Sequence, residues 1–524
     1  MLTLFFSALC GINILMNAAL ATLPDNTEDL KEMVVYRDEE ISHLREQNRL
    51  LKCRLYGRSS EKGIVGLEEQ QALFSQEDNG EEPEPDADQG IEIPKHTRKK
   101  TRKSCISDDL PREDIIHDIS EEEKVCECGA CRVKIAEETN LEVEYQQAKI
   151  TVRRHIRPKY VCLVCDGDQA GAGAIKVAPP IPQLIPKGIA TPNLLAHIFT
   201  ARYADGLPLY RQEKQFQRLG LNLGRASMSQ WTVKIAEKCE MLIDFLKQAI
   251  KKGPWIQIDE TRFQVLREFG RSNKQLSQMW VMRGGPPGAE VVLYNYRQTR
   301  SKEVVAELLA GYKGYVQSDG YAAYDFLEKW EEVYLLACWA HAGRKFKDVV
   351  KGTKVKAGAK MRTTDRILKY IRQLYAIEKQ ARLKGLSDSE IVVVRQKDSK
   401  PILEKIKVIL DDVVNKTPPK GLLGIAVAYA LTNWSRLIRY LEAGYLNIDN
   451  NGAENKIRPF VIGRKAWLFS GHPCGAFATA TFFSLIETAK ANGWEPYAYM
   501  KFLMNGLLHA ESAIDYIKLL PFAK

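Results

Sequence analysis

A chain of 524 residues is long enough for three or four units that each bury a core, and a 45% hydrophobic content excludes a disordered or fibrous protein. The net charge of +10 favours a polyanionic partner. Eleven cysteines over this length exclude a disulfide scaffold, and two Cys-x-x-Cys pairs among them point to metal binding in a reducing compartment.

Residues 1–22 are apolar and end in Ala18-Ala19-Leu20-Ala21, like a secretory cleavage site. They lack a basic start, and Asn13 and Asn17 interrupt them, so they read as an upstream extension, with a targeting or anchoring segment as the alternative. No other stretch is long and apolar enough to span a bilayer. No membrane partner is expected, and the expected location is cytoplasmic and nucleoid-associated.

Residues 23–63 form a coiled-coil helix. Over 27–56, Leu30, Met33, Val34, Ile41, Leu44, Leu51 and Leu55 recur on three- and four-residue steps among Glu, Lys and Arg. This predicts a homodimer or higher multimer, the alternative being an amphipathic helix packed on its own protein. Residues 64–119 are a charged linker: an acidic, proline-bearing stretch (Glu77, Asp78, Glu81, Glu82, Glu84, Asp86, Asp88) and then a basic run (Lys95, Arg98, Lys99, Lys100, Arg102, Lys103). Such blocks cannot bury enough apolar surface to fold alone. The basic half, Lys99 and Lys100 included, suits a phosphate backbone.

Residues 120–170 carry Cys128-Gly129-Ala130-Cys131 and Cys162-Leu163-Val164-Cys165. Four thiolates in two knuckles can close a tetrahedral structural Zn²⁺ site, and Leu141, Val143, Tyr145, Ile150 and Val152 alternate as a strand pair between them. This predicts a zinc ribbon with one Zn²⁺, with Cys126 and then His155 as alternative ligands. Arg153, Arg154, Arg157 and Lys159 make its surface basic. Residues 187–250 read as a helical DNA-binding region, in which 210–219, a short turn and 227–239 form either a helix-turn-helix or a plain αα-hairpin.

From Trp255 the texture changes. Apolar runs at 255–258, 263–266, 279–283, 291–295, 314–318 and 333–337 predict strands, and 300–310, 320–330 and 339–351 predict helices. The whole is a multidomain α+β chain, with an α/β first part at 253–350, a helical insertion at 351–446, and a second part with a C-terminal element at 447–510.

Three acids stand out: Asp259 and Asp319 at the ends of apolar runs, and Glu454 ahead of Lys456, Arg458, Arg464 and Lys465. Such a set suits two divalent metals that promote phosphoryl transfer on a nucleic acid. Glu260, Asp325 and above all Asp449 are rivals for these roles. Arg458, Arg464 and Lys465 are candidate phosphate contacts, Trp467 is a candidate base-stacking residue or core, and the lone Cys338-x-x-His341 reads as a structural brace.

The segments Trp255–Thr261, Ser318-Asp319-Gly320-Tyr321, Cys338-Trp339-Ala340-His341, Asn451–Pro459, Gly463–Gly471 and Ser484–Gly493 resemble the motifs of the insertion sequence sixty-six family of bacterial transposases. Leu55–Lys62, Leu110-Pro111-Arg112-Glu113 and the cysteine pairs are similar too, so the resemblance spans roughly 23–510. It implies a ribonuclease-H-like core interrupted by a helical insertion. It also implies an Asp-Asp-Glu triad of Asp259, Asp319 and Glu454 binding two Mg²⁺ ions, and a start near Leu23-Pro24-Asp25. Two positions depart from the family pattern: Ala466, where a polar residue is expected, and Gly343, where a second Arg is usual. The implied protein is a DNA transposase acting on transposon ends and target DNA, alongside accessory proteins encoded by the same element. The competing readings are a metal-dependent nuclease and an inactive DNA-binding relic.

Overall fold

The computed structural model describes residues 26–56, 150–161, 175–353 and 361–522. The N-terminal extension, the linker with Lys99 and Lys100, and all four ribbon cysteines lie outside the described residues. Ile150 and Val152 do not lie in a strand. The short antiparallel pair that is present joins Lys159–Val161 (β1) to Ile175–Val177 (β2), on either side of the second cysteine pair.

The heptad segment is a helix, Thr27–Tyr56 (α1). One face packs on the rest of the chain: Leu50 is buried, Arg49 Nη1 donates to Gly352 O (3.4 Å), and Leu422 N–H donates to Glu46 Oε2 (3.3 Å). The opposite face leaves Val34, Ile41, Leu44 and Leu51 each between 44% and 57% exposed, so the heptad seam stays at the surface of the single chain.

Helices Pro192–Tyr203 (α2), Leu209–Arg218 (α3), Arg225–Lys238 (α4) and Glu240–Ile250 (α5) confirm the helical character of 187–250. Thr191 caps α2 through Leu194 N–H, and Pro192 opens it. A five-stranded sheet follows: Trp255–Gln264 (β3), Leu276–Gly284 (β4), Val291–Arg297 (β5), Gly314–Gln317 (β6) and Val333–Leu336 (β7), in the order β5-β4-β3-β6-β7. β3, β4 and β5 form an antiparallel meander, and β6 and β7 run parallel to β3. Helix Lys302–Leu308 (α6) connects β5 to β6, and a 3₁₀ helix, Ala322–Lys329, connects β6 to β7. Its tight winding stacks Tyr324 over Leu327, both buried.

One expectation is corrected here. The runs 255–258 and 263–266 are a single ten-residue strand, because β4 pairs with β3 without a break from Ile256↔Gly284 to Gln264↔Leu276. The polar stretch Asp259–Arg262 is strand, so Asp259 is mid-strand rather than at a strand end. Only the parallel pairing with β6 stops before it, at Gln257↔Gln317.

The remaining helices are Trp339–Gly352 (α7), Thr363–Leu383 (α8), Asp388–Val394 (α9), Lys400–Val414 (α10), Leu422–Thr432 (α11), Trp434–Ile438 (α12), Asn451–Trp467 (α13), Pro473–Ala491 (α14), Pro496–Leu507 (α15) and Ala513–Lys518 (α16). α8, α10, α11 and α12 share one apolar core with α7, in which Ile367, Ile371, Leu374, Ile406 and Leu410 meet Trp339 and Phe346. α14 covers the edge strand β5. Val292 N–H donates to Thr488 Oγ1 (3.0 Å) and Tyr294 N–H to Ser484 Oγ (2.8 Å), so helix hydroxyls take up donors that an open edge would leave unpaired.

The insertion is pinned by Arg395, wholly buried in a π-helical turn between α9 and α10. Its Nε and Nη2 donate to the Glu378 carboxylate (2.8 and 2.7 Å), Nη1 to Tyr440 O and Ala443 O (both 2.6 Å), and Nη2 also to Leu446 O (2.8 Å). Every donor of the guanidinium is used, and the fixed segment leads directly to Asp449 and α13. Replacing Arg395 by Leu strands the Glu378 carboxylate. The expected loss is about 3–5 kcal/mol of stability, read by urea unfolding, with Glu378→Gln on the same background recovering part of it.

Candidate active site

The site begins with two glutamines. Gln257 on β3 and Gln317 on β6 are paired in register and buried, and Gln257 Nε2 donates to Gln317 Oε1 (2.8 Å). Gln257 also donates to Asp449 O (3.0 Å), and Gln317 to Asn447 O (2.8 Å), so the pair ties the chain ahead of α13 to both strands. Asn450 Nδ2 donates to Ile258 O (3.1 Å), Asn450 N–H to Cys338 Sγ (3.2 Å), and Trp339 N–H to Ile448 O (3.2 Å). Gly452 completes the approach: a Cβ there would lie 2.1 Å from Gln257 Oε1. Only glycine lets the first turn of α13 sit this close to β3.

Asp259 and Asp319 each stand two residues beyond this pair, and Glu454 lies in the first turn of α13. The structure therefore brings the three predicted acids together from two strands and a helix. Asp259 Oδ1 accepts from Glu260 N–H (2.8 Å). Burial, and then the charges of Glu260, Glu454 and Asp319, push its carboxyl well above the usual range. Glu454 is buried, and its Oε1 accepts no hydrogen bond among the described residues. Burial pushes it up to about 8, with Arg344 opposing and Asp449 and Asp319 adding to the rise. Asp319 Oδ1 accepts from Tyr321 N–H (2.9 Å), and its backbone carbonyl accepts from Tyr429 OH (2.8 Å).

The rivals are engaged elsewhere. At Glu260, Tyr324 OH donates to Oε2 (3.0 Å) and Arg300 forms an ion pair with the carboxylate. Asp449 accepts from Asn451 N–H (3.1 Å) and Asn451 Nδ2 (2.8 Å), and so serves the start of α13, while burial pushes its carboxyl up against the opposing effect of the Tyr375 hydroxyl. Asp325 pairs with Arg436 at 2.6 Å, half-exposed.

Past Asp259, β3 and α13 run side by side, joined by Phe263 on Phe460 (5.1 Å) and by Leu266 N–H to Ser470 O (2.9 Å). Arg464 Nη1 donates to Thr261 Oγ1 (3.3 Å), Arg458 is half-buried, and Lys465 is exposed. The ridge continues through exposed Arg262 and Arg267 to Phe269, which is 100% exposed at the hairpin tip. Trp467 packs against Tyr203 (6.4 Å) and Phe483 (6.2 Å), and a Cβ on Gly463 would lie 2.2 Å from its ring. This aromatic packing holds the half-buried Trp467 in place.

Cys338 caps the start of α7, and His341 follows in its first turn. His341 Nδ1 lies 3.7 Å from Glu454 Oε1. Burial, with Arg344 and Lys345 and against Asp319, pushes His341 down to about 4. Sequence reasoning missed Arg300, which bridges Glu260 and Asp319 (3.4 Å) and lies over the Tyr321 ring (3.8 Å). It sits in the irregular connection between β5 and α6 and leaves no motif. The glutamine pair did leave a signal, because Gln-x-Asp occurs in both strands, Gln257-Ile258-Asp259 and Gln317-Ser318-Asp319.

Residues 187–478 match the profile described as Transposase IS66 family. The chain belongs to the IS66 family of transposases. Residues 43–115 match a second profile, Transposase C of IS166 homeodomain, and 484–522 match the IS66 C-terminal element. The chain is 31% identical to the uncharacterized protein y4jD of Sinorhizobium fredii over 79% of its own length and 80% of that protein's. It is also 31% identical to y4qI of the same organism, over 78% and 75%. No solved structure matches. Membership makes this IS66 protein a DNA-cleaving and DNA-joining enzyme by class. Among its described residues, no helix is long and apolar enough to cross a membrane.

The raised carboxyl of Glu454 sets a pH dependence. A folded-state value near 8, above the ordinary 4.5, means the folded protein holds a proton that the unfolded chain has released. Between these values its ionisation therefore costs stability as pH rises. In chelator, the melting temperature of the wild type should fall more from pH 5 to pH 8.5 than that of Glu454→Gln. Equal slopes would contradict the burial described.

Proposed function

We propose that this IS66 transposase cleaves the ends of its insertion sequence and joins them to target DNA through Asp259, Asp319 and Glu454. The observation that carries the reading is the convergence of these three acids from β3, the end of β6 and α13, with Asp259 and Glu454 raised by burial and by neighbouring acids that include Asp319. A buried, unbonded carboxylate oxygen on Glu454 among like charges fits a divalent cation, and these three residues would hold two Mg²⁺ ions. When bound, such ions supply charge neutralisation and activation of an oxygen nucleophile. In cleavage, water bonds to phosphorus as the bond to the 3′ oxygen breaks; the freed 3′-hydroxyl then attacks a target phosphate in the same manner. Arg464 and Lys465, with Arg458, lie on the ridge leading away from the acids and are assigned to the phosphate backbone. Arg300 pairs with both Glu260 and Asp319 and balances the charge of Glu260 beside the set.

The mixed sheet, an antiparallel meander extended by two parallel strands and crossed by helices, supports a ribonuclease-H-like core. The exposed seam of α1 supports pairing with a second copy, which would bring two DNA ends together. The helical region 187–250 and the cysteine-bearing segment, with one structural Zn²⁺, are assigned to end binding. Accessory proteins of the same element are expected partners.

Mg²⁺-dependent nicking and joining of labelled DNA carrying the element's terminal repeats tests the reading. Glu454→Gln should lose more than about 100-fold, beyond what outer-shell changes cost, while Asp449→Asn keeps the larger part of its activity. Loss confined to Asp449→Asn would move the third acid and sink the assignment. Lys465→Ala should weaken end binding uniformly across sequences and lower the salt slope by about 1.

A further inference from the structure

Outside the three acids, one cluster brings together different ligand chemistries. Cys338 Sγ, a ring nitrogen of His341 and a carboxylate oxygen of Glu454 all lie within 4.8 Å of one another, and this is the sole such trio among the described residues. Cys338 and Glu454 are buried, and His341 is largely so. We propose that these three residues form a binding site for a thiophilic divalent ion of the Zn²⁺ class, sharing Glu454 with the catalytic set.

The geometry is built into the fold. Cys338 and His341 are three residues apart at the start of α7 and so share one face. Glu454 meets them from the first turn of α13, and the two helix starts are laced together by Asn450 N–H to Cys338 Sγ (3.2 Å) and Trp339 N–H to Ile448 O (3.2 Å). Zinc bonds of about 2.0–2.3 Å place tetrahedral ligands roughly 3.3–3.8 Å apart, so closing the trio takes side-chain shifts of about 1 Å. His341 and Glu454, at 3.7 Å, already meet that spacing.

The donor set decides the ion. A thiolate with an imidazole selects Zn²⁺ over Mg²⁺, which prefers oxygen in octahedral array. Thiolate and carboxylate together balance the two positive charges of the ion. Around them, Asp319 and Asp449 add negative potential, while Arg344 and Lys345 oppose it. Three protein ligands leave a fourth position open, as in reactive rather than purely structural zinc sites. Binding here withdraws Glu454 from the acid set, so Zn²⁺ should inhibit Mg²⁺-dependent strand cleavage. That consequence rests on the transposase reading; the ion binding itself does not.

The test counts zinc per full-length chain after equilibration with Zn²⁺ and removal of unbound ion. Cys338→Ser and His341→Gln, each verified as folded by its elution volume, should hold one zinc fewer per chain than wild type. X-ray absorption on zinc-loaded wild type needs no variant: the average number of sulfur ligands per zinc should fall well below the four of a ribbon site, since the second ion takes one thiolate. Equal counts in wild type and a folded variant, or four sulfurs per zinc throughout, would overturn the site. In the nicking assay, Zn²⁺ should inhibit wild type at least about tenfold more strongly than Cys338→Ser, consistent with the loss of a ligand. If zinc counts shift as expected but no nicking occurs with any protein, the transposase reading fails and the metal site stands.

Discussion

Like charges held together at the end of a parallel strand pair impose the main constraint on this fold. Burial and neighbouring acids push Asp259 and Glu454 up, Asp319 adding to both, and a chain free to relax would separate these carboxylates. The surroundings prevent this. The Gln257–Gln317 pair holds β3, β6 and the segment 447–449 in one arrangement, and Asn450 anchors the start of α13 to β3 and Cys338. Energy spent on concentrating negative charge before any cation arrives is returned when a cation binds, which is how a preorganised site gains affinity.

The insertion is part of that support. Some hundred residues separate α7 from Asp449 in the chain, yet their core is continuous with α7, and Arg395 grips the carbonyls of Tyr440, Ala443 and Leu446 on the approach to α13. Burying a charged pair seldom adds net stability over an apolar substitute. Its effect here is geometric: a fully used guanidinium allows one path for a loop that would otherwise have several. Tyr429 adds a second link, from α11 to the backbone of Asp319. The insertion therefore contacts two of the three acid-bearing segments.

Much of this was legible residue by residue. Apolar runs marked the strands, and the acids marked themselves by appearing where apolar residues should continue. The merged strand β3 was misread because Asp259–Arg262 interrupts the apolar pattern; cross-strand pairing to β4, invisible to a local window, keeps it extended. The heptads of α1 called for a partner, and the structure divides that helix between its own protein on one face and an open seam on the other. Cys338-x-x-His341 looked like a brace because no second ligand pair lies nearby in the chain; the third member, Glu454, arrives from more than a hundred residues away.

The sequence by itself determined which residues can do chemistry here: the three acids, the basic residues after Glu454, and the family motifs that hold them. Those identities are local, and side-chain pKa, charge and donor type need no fold to be read. The tertiary structure decided which acids lie together and which are occupied. Glu260 and Asp449 are chemically equal to the chosen set, and only the fold engages Glu260 with Tyr324 and Arg300 and Asp449 with Asn451. Electrostatic coupling falls steeply with distance, so membership of a site is settled by a few ångströms that no spacing in the chain records.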